Sequence, residues 1–282
     1  MSAVLLLVHP DRPAAQQLAQ VARAWWSEQG YEVHEAGDVG DAAQAGAAFR
    51  LGGEPPEFVV SFGGDGTMLR AVQLSLPHGA PVLGINLGRM GYLTEVDPPG
   101  MTQAFERLVK GEFKVEERMA LEVVAERADG TPLLPRVALN EAILERVAPG
   151  HTIRVAVLIS GRSFLTYTAD GLLVCTPTGS TAYNLSARGP VVSPTMRALI
   201  LTPVAPHVVF DRSLVLGPDE SVTFEVLDAR AAVLALDGGG DLLLGEGDRV
   251  TCRAAETAAR FVVLHERDFH AVLRSRFSLL NG

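Results

Sequence analysis

Cysteine is almost absent: Cys175 and Cys252 are the only two in 282 residues, too few for a disulfide framework or a zinc site. The pair is expected to serve in packing, in a reducing compartment. There is no Lys/Arg block, and the net charge is −9, which argues against a nucleic-acid binder. No uncharged apolar stretch reaches the length of a membrane span. The apolar start, MSAVLLLVHPDRP, has no basic region ahead of its apolar run and no small-residue cleavage site, so a first strand is expected there and not a signal peptide. These absences lead to the expectation of a cytoplasmic protein with neither nucleic-acid nor membrane partners. Two nucleotide fingerprints are also missing. The pattern G-x-x-x-x-G-K-[ST] does not occur, and the lack of G-x-G-x-x-G argues against a dehydrogenase. No histidine cluster has metal-ligand spacing, and no Ser–His–Asp order can be argued.

What the chain does have is 48% hydrophobic and 20% charged residues, a balance typical of soluble globular proteins. Its length suits one large domain or two ordinary ones. The stretch around which it is organised is FVVSFGGDGTMLRA, Phe58 to Ala71. Phe58 to Phe62 has the length and β-branched content of a buried strand. Gly63, Gly64, Asp65 and Gly66 follow, and from Thr67 the residues suit a helix. Glycines in such a turn permit positive φ and let a ligand approach bare backbone. The N–H groups at the helix start attract phosphate. A carboxylate inside that turn repels phosphate unless it binds a metal or takes a proton from an attacking group, and both roles point to phosphoryl transfer. The competing reading, Asp65-Gly66 as a hairpin turn, sits poorly with the helix-forming residues from Thr67 to Leu74.

Along the chain, Ala3 to Val8 reads as a strand and Pro13 to Gln29 as a helix presenting Leu18, Val21, Ala22 and Trp25. Tyr31 to Ala36 reads as a second strand, Asp38 to Gly53 as a short helix and loop, Pro81 to Ile85 as a strand and Thr102 to Lys110 as a helix. This alternation predicts a parallel sheet covered by helices. Beyond Gly111 the texture changes. Strand-like runs recur at Ala120 to Arg127, Arg136 to Arg146, Thr152 to Ser160, Ser163 to Thr168 and several times between Ala198 and Ala254, predicting an all-β second domain. The expected division is residues 1–115 for the α/β domain and 116–265 for the β-rich one. A helix within 266–282 is expected to pack back on the first.

Within the second half, Thr168 to Gly189 reads TADGLLVCTPTGSTAYNLSARG: a brief strand, a hydroxyl-rich glycine loop and a short helix from Ala182 to Ala187. The hydroxyls either meet polar ligand groups or serve as caps, Ser180 or Thr181 being the candidate N-cap. Asn140-Glu141 lies inside the apolar run Val137 to Leu144, where polar groups are costly unless paired or bound to something. Asp170-Gly171 reads equally as a plain turn, and Asp237 with Gly238 to Gly240 reads as a loop.

Taken together, FGGDGTMLRA, GINLGRMGYLTE, LNEAIL, TADGLLVCTPTGSTAYNLSARGP and LTPVAPH resemble the bacterial NAD kinase family, in order over most of the chain. GGDG alone is shared with diacylglycerol, sphingosine and 6-phosphofructo-kinases; the TPTGSTAYNLSA stretch is far more specific. The resemblance implies an α/β N-terminal domain, a β-rich C-terminal domain that binds NAD, and a site between them. It implies phosphorylation of the adenosine ribose 2′-hydroxyl of NAD by ATP, or in some members polyphosphate, with Mg²⁺ or another divalent metal, in a homodimer or homotetramer. Asp65 matches the family's proton acceptor. Gly66 lies beside it at the nucleotide, with Gly63, Gly64, Thr67 and Arg70 expected at the phosphates. Asn140, Glu141, Asp170, Thr181, Ala182, Tyr183 and Ser186 match the NAD-binding segments, and His151 falls near a position that is often basic. Two departures stand out: Asp237-Gly238-Gly239 where the family often shows Asp-Gly-Gln, and Asp211-Arg212-Ser213 where it often shows Asn-Arg-Pro. The rival readings are a lipid or sugar kinase of the same superfamily and a non-enzymatic dinucleotide-binding regulator.

Overall fold

The structure, a computed structural model, describes residues 2–36, 55–88, 91–133, 136–228, 230–266 and 268–276. The expected helix and loop at Asp38 to Gly53 and the end of the expected tail helix lie outside the described residues. The chain divides into two compact units, with Arg118–Ala258 forming the second.

In the first unit β1 (Ala3–Val8), α1 (Pro13–Glu28), β2 (Glu32–Ala36), β3 (Pro56–Gly63), α2 (Asp65–Ser75), β4 (Val82–Asn86), α3 (Met101–Val109) and β5 (Lys114–Arg118) follow in order. β1 pairs in parallel with both β2 and β3, and β3 in parallel with β4. Strands covered on both faces carry continuous apolar runs, and all six residues of β1 are buried. Alternate residues Val4, Leu6, Val8, Phe58, Val60 and Phe62 join a core with α1 and α3. On the opposite face Ser61 of β3 donates to Met68 Sδ of α2 at 3.2 Å.

The buried stripe of α1 differs from the expected one. It runs Ala15, Ala19, Ala22 and Trp26, while Val21 is 55% exposed and Leu18 and Trp25 are only partly buried. Three alanines let the helix lie close to the sheet. Trp26 then anchors it among Trp25, Tyr31, Phe58 and Phe105, with ring centroids 4.8–6.0 Å away, so packing outweighed the hydrophobicity of Val21.

The second unit is two six-stranded sheets whose strands pair antiparallel. It contains β6 (Leu121–Glu126), β7 (Arg136–Ala138), β8 (Glu141–Arg146), β9 (Ile153–Ile159), β10 (Arg162–Ala169), β11 (Gly171–Cys175), α4 (Tyr183–Ser186), β12 (Leu199–Val204), β13 (Leu214–Leu216), β14 (Ser221–Val226), β15 (Ala232–Leu236), β16 (Gly239–Leu244) and β17 (Arg249–Ala254). One sheet has the order β10-β9-β14-β17-β6-β7 and the other β13-β12-β11-β8-β15-β16. Their facing side chains, including Val123, Leu144, Leu172, Val174, Phe224 and Val250, form one core. The expected single strand Arg136 to Arg146 is two strands, because the chain changes sheets at Leu139-Asn140. Ser160-Gly161 joins β9 to β10 with both residues at positive φ, the geometry of a two-residue hairpin turn.

After β17 the chain returns to the first unit as β18 (Ala259–Val263) and α5 (Phe269–Arg276). β18 pairs in parallel with β4, completing the order β2-β1-β3-β4-β18-β5. The sequence pattern assigns 259–265 to the β-rich half; in the structure this run is a strand of the α/β sheet. Asp268 accepts the Ala271 N–H at 3.0 Å and so caps α5.

Candidate active site

In the first unit, β1, β3 and β4 all end at one edge of the sheet, the edge where open parallel sheets bind ligands. The end of β3 carries the glycine–carboxylate turn. Gly63 is required by local packing, since a Cβ there would overlap the side chain of buried Thr67. At Gly64 and Gly66 a Cβ would meet nothing within 4 Å, so the chain's own atoms leave that space open. None of the three has positive φ. Their smallness permits close approach, and the expected left-handed backbone is not used.

Asp65 is the first residue of α2. Its Oδ2 accepts the Tyr92 N–H at 2.9 Å and its Oδ1 the Leu93 N–H at 3.1 Å. Both oxygens are therefore oriented by backbone of the loop after β4, and a Cβ on Gly91 would overlap Oδ1. Arg276, the last residue of α5, brings its guanidinium Nη2 to 3.6 Å from Oδ2 and lies over the Tyr92 ring, 5.1 Å from its centroid. Arg12 follows β1 and donates to Leu87 O at 3.0 Å, while Arg70 is exposed on α2. Sequence reasoning singled out Asp65 and Arg70 but gave no sign of the groups that hold Asp65, which lie 27, 28 and about 210 residues further on.

In the second unit the start of β8 and the ends of β11 and β15 meet at one sheet edge, with Cys175 opposite Glu141 and Leu236 opposite Ala142. The Asp237 carboxylate accepts N–H bonds from Leu139 at 2.7 Å, Asn140 at 2.7 Å and Glu141 at 3.1 Å. It does so from a hairpin turn, Asp237-Gly238, with φ of 50° and 80°. Glu141 is 7% exposed, and its Oε2 is buried without a hydrogen-bond partner. Burial first, then the neighbouring Asp237 charge, push its carboxyl up to about 8, while the Tyr183 backbone N–H opposes the shift. A carboxyl that stays neutral near pH 7 can donate as well as accept a hydrogen bond. A buried oxygen without a partner suits a ligand hydroxyl.

The hydroxyl-rich loop is largely consumed by its own architecture. Thr176 Oγ1 donates to Leu139 O at 2.6 Å and Ser180 Oγ to Pro177 O at 2.6 Å. Asn184 is fully buried, donating to Pro190 O at 2.9 Å and accepting from Thr202 Oγ1 at 2.7 Å. Gly179 has no room for a Cβ against Asn140 O. Neither Ser180 nor Thr181 caps a helix with its side chain. Thr178 Oγ1, one of the loop hydroxyls read from the sequence but not among the expected NAD-binding residues, is buried without a hydrogen-bond partner. Thr181, Ala182 and Tyr183 are partly buried, and Ser186 is exposed.

The remaining candidates lie at the opposite end of β11. Asp170 precedes Gly171 and pairs with Arg146 at 3.1 Å. His151 is exposed in the loop between β8 and β9. Five residues of strand, roughly 13 Å, separate this end from Asn140-Glu141. Tyr183 bridges them. It packs on the Ile143, Leu173, Cys175 and Ile200 face, and its hydroxyl donates to Glu145 Oε1 at 2.7 Å. Burial and the Glu145 hydrogen bond push the phenol up to about 12, so it remains a donor at every physiological pH.

A divalent metal finds no protein cage here. Among the described residues no group of three or more His, Cys, Asp or Glu side chains is placed to hold one, and each Asp65 oxygen already accepts one backbone N–H.

A glycine turn carrying a held carboxylate at the end of parallel-paired strands, followed in sequence by two packed antiparallel sheets with a buried carboxyl at one sheet edge, is an arrangement suited to phosphoryl transfer. Residues 4–113 match the ATP-NAD kinase N-terminal domain and residues 139–264 the ATP-NAD kinase C-terminal domain. The NAD kinase of Heliobacterium modesticaldum is 37% identical over 281 residues, covering 98% of each chain. That of Desulforamulus reducens is 34% identical, covering 98% of this chain and 97% of its own. The chain belongs to the NAD kinase family. Among solved structures, yeast NADH kinase complexed with NADH has a TM-score of 0.84 at 24% identity, covering 100% of this chain and 89% of its own. An Archaeoglobus fulgidus NAD kinase in complex with ATP has a TM-score of 0.74 at 24% identity, covering 98% and 99%. At that identity the likeness is one of fold.

Proposed function

We propose that this chain phosphorylates the adenosine ribose 2′-hydroxyl of NAD to give NADP, with ATP or polyphosphate as donor. The observation that carries the reading is Asp65: a carboxylate held by two backbone N–H groups inside an open glycine turn, where an anion binder gains nothing from negative charge. In the reaction the 2′-oxygen attacks the terminal phosphoryl group in line. The new O–P bond forms as the bond to the leaving phosphate breaks, and the hydroxyl proton passes to Asp65. The N–H groups at the start of α2, with Gly63, Gly64, Gly66 and Thr67 around them, meet donor phosphates. Mg²⁺ or another divalent cation would supply further charge neutralisation at those phosphates, with few protein ligands of its own. Asn140, Glu141 and the segment from Thr181 to Ser186 hold NAD, with Asp170 and His151 at the far end of the same strand pair. A homodimer or homotetramer in the cytoplasm completes the proposal.

The test is an incubation with Mg²⁺, either ATP or polyphosphate, and either NAD or diacylglycerol. NADP formation is the expected result. Phosphorylated lipid, or NAD binding with no NADP from either donor, overturns the reading.

A further inference from the structure

The carboxylate that makes the turn useful also makes it hostile to a phosphate. α5 supplies an answer to that conflict. Its helix starts from the Asp268 cap and ends on Arg276, whose guanidinium faces Asp65 Oδ2 at 3.6 Å and lies over the Tyr92 ring. At 3.6 Å this is an ion pair without a close hydrogen bond. The Arg276 side chain is 39% exposed and that of Asp65 31%, so the pair is open to a ligand. A guanidinium has five N–H donors in a fixed fork and takes phosphate oxygens in pairs. One edge toward Asp65 leaves the others for an incoming anion.

We propose that Arg276 is the donor-phosphate cation of this active site, resting on Asp65 until a phosphoryl donor is bound; the proposal rests on the phosphotransfer reading above. While no donor is bound, Arg276 and Asp65 balance each other, and the anion-attracting helix start is not cancelled by a bare carboxylate. When the 2′-OH proton moves to Asp65, the carboxylate becomes neutral and no longer competes with the phosphates for Arg276. The guanidinium then faces the transferring phosphoryl group alone, as the bond to the new oxygen forms and the bond to the leaving phosphate breaks. Arg276 itself gains and loses no proton. Charge placed where a phosphoryl group is in flight is the role arginine fills in many phosphotransferases.

The experiment compares the full-length wild type with Arg276→Gln and Arg276→Lys by two readouts. The first is calorimetric titration with Mg²⁺ and inorganic tripolyphosphate, which needs no turnover. The second is NADP formation from ATP and NAD, with thermal melting as control. Arg276→Gln is expected to bind tripolyphosphate about tenfold more weakly or worse, the scale of one lost charge-assisted contact. It is also expected to lose kcat/KM for ATP at unchanged KM for NAD, and Arg276→Lys is expected to recover part of both. Tripolyphosphate affinity within twofold of wild type in Arg276→Gln overturns the proposal, as does a fall in melting temperature with no change in affinity. A wild type that binds tripolyphosphate but forms no NADP defeats the NAD kinase reading instead, and the titration still decides the role of Arg276.

Discussion

Glu141 and Asp65 are both carboxyls in segments proposed to meet nucleotides, yet their surroundings suit them to opposite tasks. Asp65 is partly exposed and surrounded by N–H donors and a guanidinium, which suits a charged proton acceptor. Glu141 is buried beside another carboxylate and holds its proton up to about pH 8, against an ordinary value of 4.5. Between those two values the folded chain binds a proton that the unfolded chain does not. Its stability contribution is therefore complete below 4.5 and declines as pH rises toward 8. Glu141→Gln removes that dependence. Thermal melts from pH 5 to 8 are expected to show a steeper decline in wild type than in the variant, by at most about 5 kcal/mol. Parallel declines would contradict this. Asp65 and Glu141 were both legible in the sequence, one as a carboxylate in a glycine turn and the other as a polar residue in an apolar run. Their partners were not, because Tyr92, Leu93, Arg276 and Asp237 reach them only through the fold.

At the scale of elements, Asp237-Gly238 shows how a plain turn signal conceals a structural role. It is a hairpin turn between β15 and β16, as the residue pair suggests, and its side chain also caps the point where the chain leaves β7 for β8. That junction carries Asn140 and Glu141, so the turn positions them. Asp237→Ala leaves three N–H groups without their acceptor and is expected to cost about 2–4 kcal/mol in urea unfolding and to weaken NAD binding. Asp237→Asn keeps one carbonyl acceptor and is expected to lose less of both. Equal loss in the two variants would count against the capping role. The run Arg136 to Arg146 reads as one strand because its apolar pattern barely falters, yet β7 pairs with β6 in one sheet and β8 with β11 and β15 in the other. In α1, periodicity identified the helix, but the buried stripe of Ala15, Ala19, Ala22 and Trp26 was set by how closely small residues let it approach the sheet.

Across the whole molecule, alternating elements followed by short strands gave the two fold classes, an α/β unit and an all-β unit. What local pattern could not supply was the return of the chain: Ala259–Val263 looks like any strand of the β-rich half but pairs in parallel with β4. α5 follows that return and ends on Arg276 beside Asp65. A chain with net charge −9 offers anionic nucleotides no attractive overall field, so local cations and helix-start N–H groups must do the work. The claim on which this depends is that Asp65 takes the proton from the acceptor hydroxyl. Its most direct test is the rate of NADP formation by Asp65→Asn, measured beside NAD affinity and melting temperature. A fall of at least ~10²-fold in turnover, with affinity and melting unchanged, is the predicted result; near-normal turnover in that variant contradicts the account.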